Sequence, residues 1–321
     1  MGWVARGVSR GLEGGRAMRT GRPSTTARGA AAFRAAHQEL EGGRVFHDPL
    51  ALRVLAADAD DPALEAAFRP EREDVRLSVA ARARFAEDAV AAAVARGVRQ
   101  AVVLGAGLDT FGCRNPHAAE GLRVFEVDHP ATQEWKRGRL AAVGIPVPAS
   151  LTFAPVDFER QSLADGLGAA GFDPVRPAFF VWLGVVPYLT RTAVLGTLGF
   201  IAALPNGSGV VFDYGEPPDA LPPEQRAVHE ARAAWAARAG EPFLSFFTPG
   251  ELAAELRRLR FSAGEDIRYR DLTARYGSAH RTAGDHADLG AHVIHAWTED
   301  QGPSGGSRRR RGAPSDSSDR P

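Results

Sequence analysis

Cysteine is almost missing from this chain, and neither charge sign is in excess. Cys113 is the only cysteine, which excludes an intramolecular disulfide and a zinc site built on several thiolates. Lysine plus arginine and aspartate plus glutamate both number 39, so no net charge attracts the chain to nucleic acid or to an anionic membrane. We therefore expect a cytoplasmic protein whose partner is not a polyanion.

Long hydrophobic runs are missing as well. The longest apolar stretches, residues 178–189 and 193–204, are too short to span a bilayer. The first 20 residues carry several arginines but no apolar core of a secretory signal. We predict neither a membrane span nor a secretory signal.

Glycine, serine, proline and arginine dominate both ends of the chain. Residues 1–23 and 301–321 have no helical or strand periodicity, which predicts disordered segments. Met18 is an alternative translation start. The arginines at 308–311 are interpreted as part of a solvated tail, because no aromatic residue or folded module accompanies them.

The rest of the chain divides into a helical segment and an alternating α/β segment. Residues 24–96 have helical periodicity that ends at Gly97, and we interpret them as an N-terminal helical cap. Over residues 97–300 short apolar runs alternate with helical periods, which is typical of βαβ units and a mostly parallel sheet. The predicted strands are 100–104, 123–128, 151–156, 178–183, 209–214 and 292–297.

Three helix starts carry recognisable signals. Pro130 follows His129 in a position suited to the first helical turn, and the helix is expected to close at Gly144. Thr190 is a candidate N-cap, and Thr248 begins a capping box.

The strongest chemical signal is AVVLGAGLDT at residues 101–110, an apolar strand that breaks into Gly105 and Gly107. Glycines at the carboxyl end of such a strand let a ligand approach the backbone. A dinucleotide fingerprint would place a third glycine at position 110, where this chain has Thr110. This departure favours a ligand without a pyrophosphate, such as S-adenosylmethionine, with Asp109 facing its ammonium group. A tight structural turn is the alternative.

Two acids end the next predicted strand. In VFEVDHP, Glu126 and Asp128 follow the glycines by about 20 residues, where an acid commonly holds ribose hydroxyls. A carboxylate suits a vicinal diol because it accepts two hydrogen bonds. The alternative for Asp128 is a cap on the helix that follows.

A third acid, Asp157, ends the third strand in FAPVDFERQ. Its carboxylate can accept from an adenine amino group, and Phe158 can stack on the ring. A helix cap is again the alternative. Three successive strand ends with this chemistry together favour a nucleoside-bearing ligand.

With these motifs in place, the sequence resembles the leucine carboxyl methyltransferase-like family of S-adenosylmethionine-dependent methyltransferases, from about residue 24 to residue 297. The resemblance rests on eight ordered blocks, at residues 24–37, 46–51, 81–88, 102–110, 125–140, 156–161, 182–190 and 210–215. It implies a Rossmann-like class I methyltransferase sheet, S-adenosyl-L-methionine as cofactor and a methyl acceptor that the sequence does not identify.

The resemblance also implies residue roles. Gly105 becomes the first glycine of the cofactor loop, Asp128 the ribose ligand, and Asp157 with Phe158 the adenine contacts. Arg82 matches a family arginine that reaches the cofactor carboxylate, a role that suits the guanidinium fork. Without the resemblance, Arg82 is interpreted as an exposed helix charge.

Two positions depart from the family pattern. Where members commonly read S-R-T-A, this chain has Thr25 in place of the arginine, and where they read W-E-G-V it has Leu183 in place of the acid. An expected base and an expected acid near the cofactor are thus missing, which bears on acceptor preference and activity.

No residue is assigned to catalysis. Methyl transfer from a sulfonium relies largely on alignment and desolvation, and a base is needed only if the acceptor must lose a proton. An oxygen acceptor, including a carboxylate, is the working hypothesis. Candidates beside it are His37, Tyr188, Asp213 and Tyr214. A nicotinamide-dependent oxidoreductase and a non-catalytic nucleoside-binding module remain as alternatives.

Overall fold

A computed structural model describes residues 25–55, 62–158, 160–277 and 290–298 of the chain. The segments predicted to be disordered, 1–23 and 301–321, lie outside the described residues, as does the alternative start at Met18. The helix bounds and contacts given below refer to the described part of the chain.

Seven strands form a single twisted layer through the described residues. They are β1 (Gln100–Leu104), β2 (Arg123–Asp128), β3 (Leu151–Pro155), β4 (Phe179–Trp182), β5 (Gly209–Gly215), β6 (Phe261–Arg268) and β7 (Ala291–Thr298). Their order across the sheet is β3-β2-β1-β4-β5-β7-β6. Six of these strands run in the same direction, and β7 runs opposite to them, between β5 and β6. The strand order reverses between β1 and β4, and the crevice outside their carboxyl ends is where open α/β sheets bind ligands.

All six predicted strands are found, with ends within one residue of the prediction. β1 and β4 are buried along their whole length, as expected for parallel strands covered on both faces. β6 was missed, because its sequence FSAGEDIR contains glycine and two acids and has little strand propensity. Its pairing with β7, interrupted by an irregularity between Ala263 and Glu265, stabilises it as a strand.

Helices pack on both faces of the sheet, and the first three lie next to the turn after β1. They are α1 (Thr25–Leu40), α2 (Ala51–Leu55), α3 (Pro62–Ala67), α4 (Glu73–Ala95), α5 (Phe111–Arg114), α6 (Pro130–Ala142), α7 (Leu163–Ala169), α8 (Arg191–Ala202), α9 (Pro223–Arg238), α10 (Pro249–Arg258) and α11 (Tyr269–Tyr276). Short 3-10 turns lie at Pro70–Arg72, Ala118–Glu120, Val186–Tyr188 and Pro218–Ala220.

The three predicted helix starts are confirmed. Pro130 is the first residue of α6, and the Thr190 hydroxyl accepts from the Ala193 amide at 3.3 Å at the start of α8. Thr248 and Glu251 form the predicted capping box of α10. Gly97, with φ of +94°, follows the end of α4 as predicted.

The predicted cap packs in two different ways. α1, α2 and α3 share an apolar cluster with Leu108 and Leu140, next to the turn after β1. α4 packs directly on the sheet, where Phe85 and Val90 join the cluster that contains Phe179. The division of the chain after residue 96 stays a prediction. No helix in the described ranges combines the length and apolarity needed to cross a membrane.

Candidate functional site

The turn after β1 lies at the crevice between β1 and β4. Gly105 and Gly107 have φ of +62° and +42°, a region that other residues rarely adopt. A Cβ on Gly105 would lie 2.5 Å from Cγ2 of Val185, in the segment that follows β4. The Ala106 amide donates to the Val127 carbonyl at 3.0 Å, which ties the turn to β2. Both conformation and space therefore require glycine at position 105.

Asp128, at the end of β2, holds this turn from the other side. Its Oδ2 accepts from the Gly107 amide and its Oδ1 from the His129 amide, both at 2.7 Å. Burial raises the pKa of the Asp128 carboxyl, and the two amide hydrogen bonds oppose that rise. Asp128 does not cap α6, because the N-cap is His129, whose Nδ1 accepts from the Ala131 amide at 3.2 Å.

Glu126 lies beneath the turn. It is fully buried, and Lys136 Nζ donates to Glu126 Oε2 and to the Asp109 carbonyl, both at 2.6 Å. Burial raises the pKa of Glu126, and the Lys136 ammonium group opposes this rise only in part, so that the pKa is about 7. The structure thus gives Glu126 the role of joining α6 to the turn, and its predicted ribose contact stays a prediction.

Asp109 stands at the start of α5. Its Oδ1 accepts from the Phe111 amide at 2.7 Å, a turn-stabilising hydrogen bond typical of aspartate. Asp109 also lines a small cleft whose other walls include Glu87 and Leu183. An acid here can face a cationic group that enters the cleft.

Asp157 and Phe158 lie one strand further from the crevice. The Val156 amide donates to the Asp128 carbonyl at 2.9 Å, which places the end of β3 beside that of β2. Asp157 pairs with Arg160 at 3.3 Å and does not cap α7, whose N-cap is Ser162. Phe158 is 51% exposed, so part of its ring is accessible to a ligand.

The Arg82 side chain is only 13% exposed and does not match the exposed-charge interpretation. Its Nη1 donates to Asp213 Oδ2 at 2.6 Å and to the Tyr269 hydroxyl at 3.3 Å. Asp213 Oδ1 in turn accepts from the Gly184 amide at 2.7 Å. Burial would lower the pKa of Arg82, but Tyr269 and Asp213 raise it overall. The Arg82 Nε is buried and has no hydrogen-bond partner.

The predicted residues therefore form two groups that face each other. The ends of β1 and β2 bring together Gly105, Gly107, Asp109 and Asp128. Arg82 lies with the segment after β4, and Leu183 in that segment lines the same cleft as Asp109. The site predictions stay predictions, but these side chains converge on a single edge of the sheet.

Sequence reasoning missed the contact between the cap and the turn. Asp48 is 1% exposed, and its carboxylate accepts from Thr110 Oγ1 at 2.7 Å and Arg34 Nε at 3.1 Å. Arg34 also donates to the Leu108 carbonyl at 2.8 Å. The buried acid in FHDPLA was a usable signal, because an aspartate among apolar residues needs partners.

The acceptor candidates are already engaged in this structure. His37 is fully buried, its Nε2 accepts from the Val45 and Phe46 amides, and Nδ1 lies 3.1 Å from Glu41, so its role is in packing. The Tyr214 hydroxyl donates to Asp266 at 2.6 Å. Tyr188 is half-buried, in ring contact with Phe243.

The structure also describes the two positions, Leu183 and Thr25, that depart from the family pattern. Leu183 packs against the apolar cluster shared by α4 and the sheet and lines the cleft beside Glu87 and Asp109, so a carboxylate there would stand near two other acids. Thr25 is the first residue of α1 and is exposed.

Two named proteins are similar in sequence to part of this chain. A Bacillus subtilis protein named "Putative S-adenosyl-L-methionine-dependent methyltransferase YktD" is 38% identical over 175 residues, covering 54% of this chain and 57% of the relative. A Saccharopolyspora erythraea protein with the same kind of name is 36% identical over 48% of this chain and 59% of its own length. The chain thus matches less than two thirds of the length of these relatives.

A solved structure confirms the fold class. The crystal structure of a "putative methyltransferase" from Thermobifida fusca has a TM-score of 0.57 at 17% identity and covers 87% of this chain and 96% of that one. The predicted Rossmann-like, mostly parallel sheet is therefore confirmed. The family model described as "Leucine carboxyl methyltransferase" matches residues 27–202. Because this match covers more than half of the chain, the protein belongs to the leucine carboxyl methyltransferase family.

Proposed function

We propose that this protein is an S-adenosyl-L-methionine-dependent methyltransferase that transfers the methyl group to an oxygen of its acceptor. The observation that supports this best is the acid at each end of the glycine turn. Asp128 binds the Gly107 amide, and Asp48 binds Thr110 at the start of α5. Thr110 stands where a dinucleotide loop has glycine, and its hydroxyl is already engaged by Asp48, so a ligand without phosphates is favoured.

The residues present fit that cofactor. Asp128 retains acceptor capacity for a ribose diol, Asp157 can accept from the adenine amino group, and the exposed part of the Phe158 ring can stack. Asp109 supplies a negative charge for the ammonium group. The bound cofactor would supply a methyl group activated by a positive sulfonium.

Arg82 fits the carboxylate end for a particular reason. Its guanidinium pairs with Asp213, yet the buried Nε has no partner. Buried donors without partners are costly, so a ligand carboxylate that accepts from Arg82 would be stabilised. The role of this arginine is to bind and orient.

The cap contributes by excluding water. The Ala27 methyl group would lie 3.2 Å from a Cβ on Gly107, so α1 lies directly over the turn. Methyl transfer is an in-line displacement, which is accelerated mainly by alignment of the two reactants in a site shielded from water. The cap and the turn together provide such a shield.

Calorimetry with S-adenosylmethionine, S-adenosylhomocysteine and NAD tests the cofactor class. We expect heat of binding with the first two ligands and none with NAD. Binding of NAD alone would sink the proposal and favour an oxidoreductase. Binding of S-adenosylhomocysteine without methyl transfer to any component of a small-molecule extract would favour the non-catalytic module.

The ribose role of Asp128 gives a sharper prediction. We expect Asp128→Ala to weaken S-adenosylmethionine binding by about 1 to 3 kcal/mol, the scale of a lost buried hydrogen-bonding group. Asp128→Asn keeps one oxygen for the Gly107 amide and serves as the better-folded variant. Asp271→Ala, at a side chain that is 59% exposed, is the control. Unchanged affinity in both folded Asp128 variants would refute the ribose role.

A further inference from the structure

A group of aromatic rings from three segments lies beside the candidate site. The Tyr188 and Phe243 rings are 5.5 Å apart, and His229 lies 5.9 Å from Phe243 and 5.5 Å from Phe246, measured between centroids. We call these four residues the His229 cluster. Tyr188 follows β4, His229 lies on α9, and the two phenylalanines lie in the segment before α10.

The His229 cluster adjoins the glycine turn through the segment after β4. Val185 in that segment contacts Gly105. Two residues further on, the Pro187 carbonyl accepts from the Leu244 amide at 2.6 Å. The Phe247 amide donates to the Gly215 carbonyl at 3.0 Å, at the carboxyl end of β5. The cluster thus lies at the carboxyl edge of the sheet, and the segment after β4 links it to the turn.

Two polar groups at this place are buried without partners. His229 is 6% exposed, and its Nδ1 has no hydrogen bond. Both carboxylate oxygens of Glu241 are also buried and unpaired. Glu241 acts on the phenol of Tyr188, whose pKa is raised by burial, lowered by Arg232 and raised further by Glu241. Buried polar atoms in native proteins nearly always have partners, so such atoms at a site edge point to a ligand.

α9 has few buried residues besides His229. His229 and Ala236 are the only buried residues of this 16-residue helix, and they lie seven residues apart on one face. Burial lowers the pKa of His229, and Arg232 lowers it further while Glu230 raises it. The imidazole is therefore neutral near pH 7 and can accept a proton.

We propose that the His229 cluster is the acceptor subsite, that its acceptor is an aromatic hydroxyl compound, and that His229 Nδ1 accepts the hydroxyl proton. This inference rests on the proposed methyltransferase function. The rings around His229 pack against one another and form an apolar aromatic wall, on which an aromatic guest could lie with its hydroxyl toward Nδ1. A free carboxylate has no proton to lose, and the unpaired Glu241 carboxylate would repel it.

Methyl transfer to a hydroxyl compound forms one bond, breaks one bond and releases one proton. The acceptor oxygen forms a bond to the methyl carbon, and the methyl–sulfur bond breaks with its electron pair left on sulfur. The hydroxyl proton moves to His229 Nδ1 and is later released to solvent. No oxidant or reductant is required.

The test uses the full chain with methyl-labelled S-adenosylmethionine and a panel of phenol, catechol and naphthol, with benzoate and naphthoate as matched carboxylates. We expect transfer to at least one hydroxyl compound and none to the carboxylates. Transfer to carboxylates only, or no transfer to any hydroxyl compound by protein that binds S-adenosylhomocysteine, would overturn the inference. Failure to bind S-adenosylhomocysteine would instead count against the proposed function.

Substitution of His229 tests whether this residue acts as a general base or only packs against its neighbours. We expect His229→Asn to lower kcat roughly 100-fold or more, the range of general-base catalysis, with S-adenosylhomocysteine affinity unchanged. The rate of the unsubstituted protein should fall as acid protonates His229, and this limb should vanish in the variant. His295→Asn is the matched control, because His295 Nδ1 is also buried and unpaired but lies against Phe85 and Trp297. Equal kcat losses in both variants, or none in His229→Asn, would contradict the assignment.

Discussion

Individual side chains beneath the glycine turn link its stability to pH. Glu126 has a pKa of about 7 in the fold against an ordinary value of 4.5, chiefly because it is buried. Between these values the folded chain binds more protons at Glu126 than the unfolded chain does. Glu126 therefore contributes stability that is present below pH 4.5 and lost as the pH rises through about 7.

We accordingly predict that Glu126→Gln removes this loss. The free energy of unfolding, measured by urea titration at several pH values from 4.5 to 7, should fall with pH in the unsubstituted chain relative to the variant. Glu71→Gln, at an exposed side chain, should run parallel to the unsubstituted chain. A constant difference between Glu126→Gln and the unsubstituted chain would mean that Lys136 keeps Glu126 ionised throughout.

Some residues around the turn could be predicted from the sequence, and others could not. Gly105 and Asp128 were found because both sit at strand ends, where short-range pattern and function coincide. Lys136 was missed, since a lysine on an apparently amphipathic helix gives no sign that its ammonium group lies under the turn. Asp48 was missed because its partner Thr110 is 62 residues away.

At the scale of single elements, two glycines of similar appearance have opposite roles. Gly105 has φ of +62° and no room for a side chain, so Gly105→Ala should destabilise the fold by about 1 to 3 kcal/mol or more and impair cofactor binding. Gly138 in α6 is exposed, with nothing within 4 Å of an added Cβ. Gly138→Ala should therefore stabilise by about 0.5 to 1 kcal/mol. Thermal unfolding of both variants checks the two signs, and a stable Gly105→Ala variant would be the contrary result.

Strands that are buried along their whole length were predicted correctly, whereas the strand that depends on pairing with its neighbour was missed. β1 and β4 are apolar throughout, so their sequences alone predict buried strands. β6 depends on pairing with β7, and α9 has too few buried residues to show an apolar stripe. That β6 pairs with β7 cannot be predicted from the sequence of β6 alone.

For the whole molecule, the joint between cap and sheet passes through Asp48. This carboxylate holds Arg34 on α1 and Thr110 at the start of α5. Desolvation raises the pKa of Asp48, but Arg34 and Arg114 outweigh it and lower the pKa overall.

We predict that Asp48→Asn destabilises the protein by about 3 to 5 kcal/mol, because it leaves buried arginine charge uncompensated. The variant should also weaken S-adenosylhomocysteine binding, since the turn loses its anchor to the cap. Glu65→Gln breaks the exposed pair with Arg69 and should cost about 1 kcal/mol or less. Melting curves with and without S-adenosylhomocysteine measure both effects; equal, small shifts in the two variants would show that the joint carries no stability.

The sparse anchoring of α9 has a consequence for its amide protons. Its 16 residues bury only His229 and Ala236, whereas α4 buries a full face along 23 residues. Local opening of α9 should therefore cost little free energy, and its amides should exchange with deuterated solvent well before those of α4. An acceptor held against His229 would slow that exchange, so deuterium uptake along this one helix reports occupancy of the subsite without any turnover.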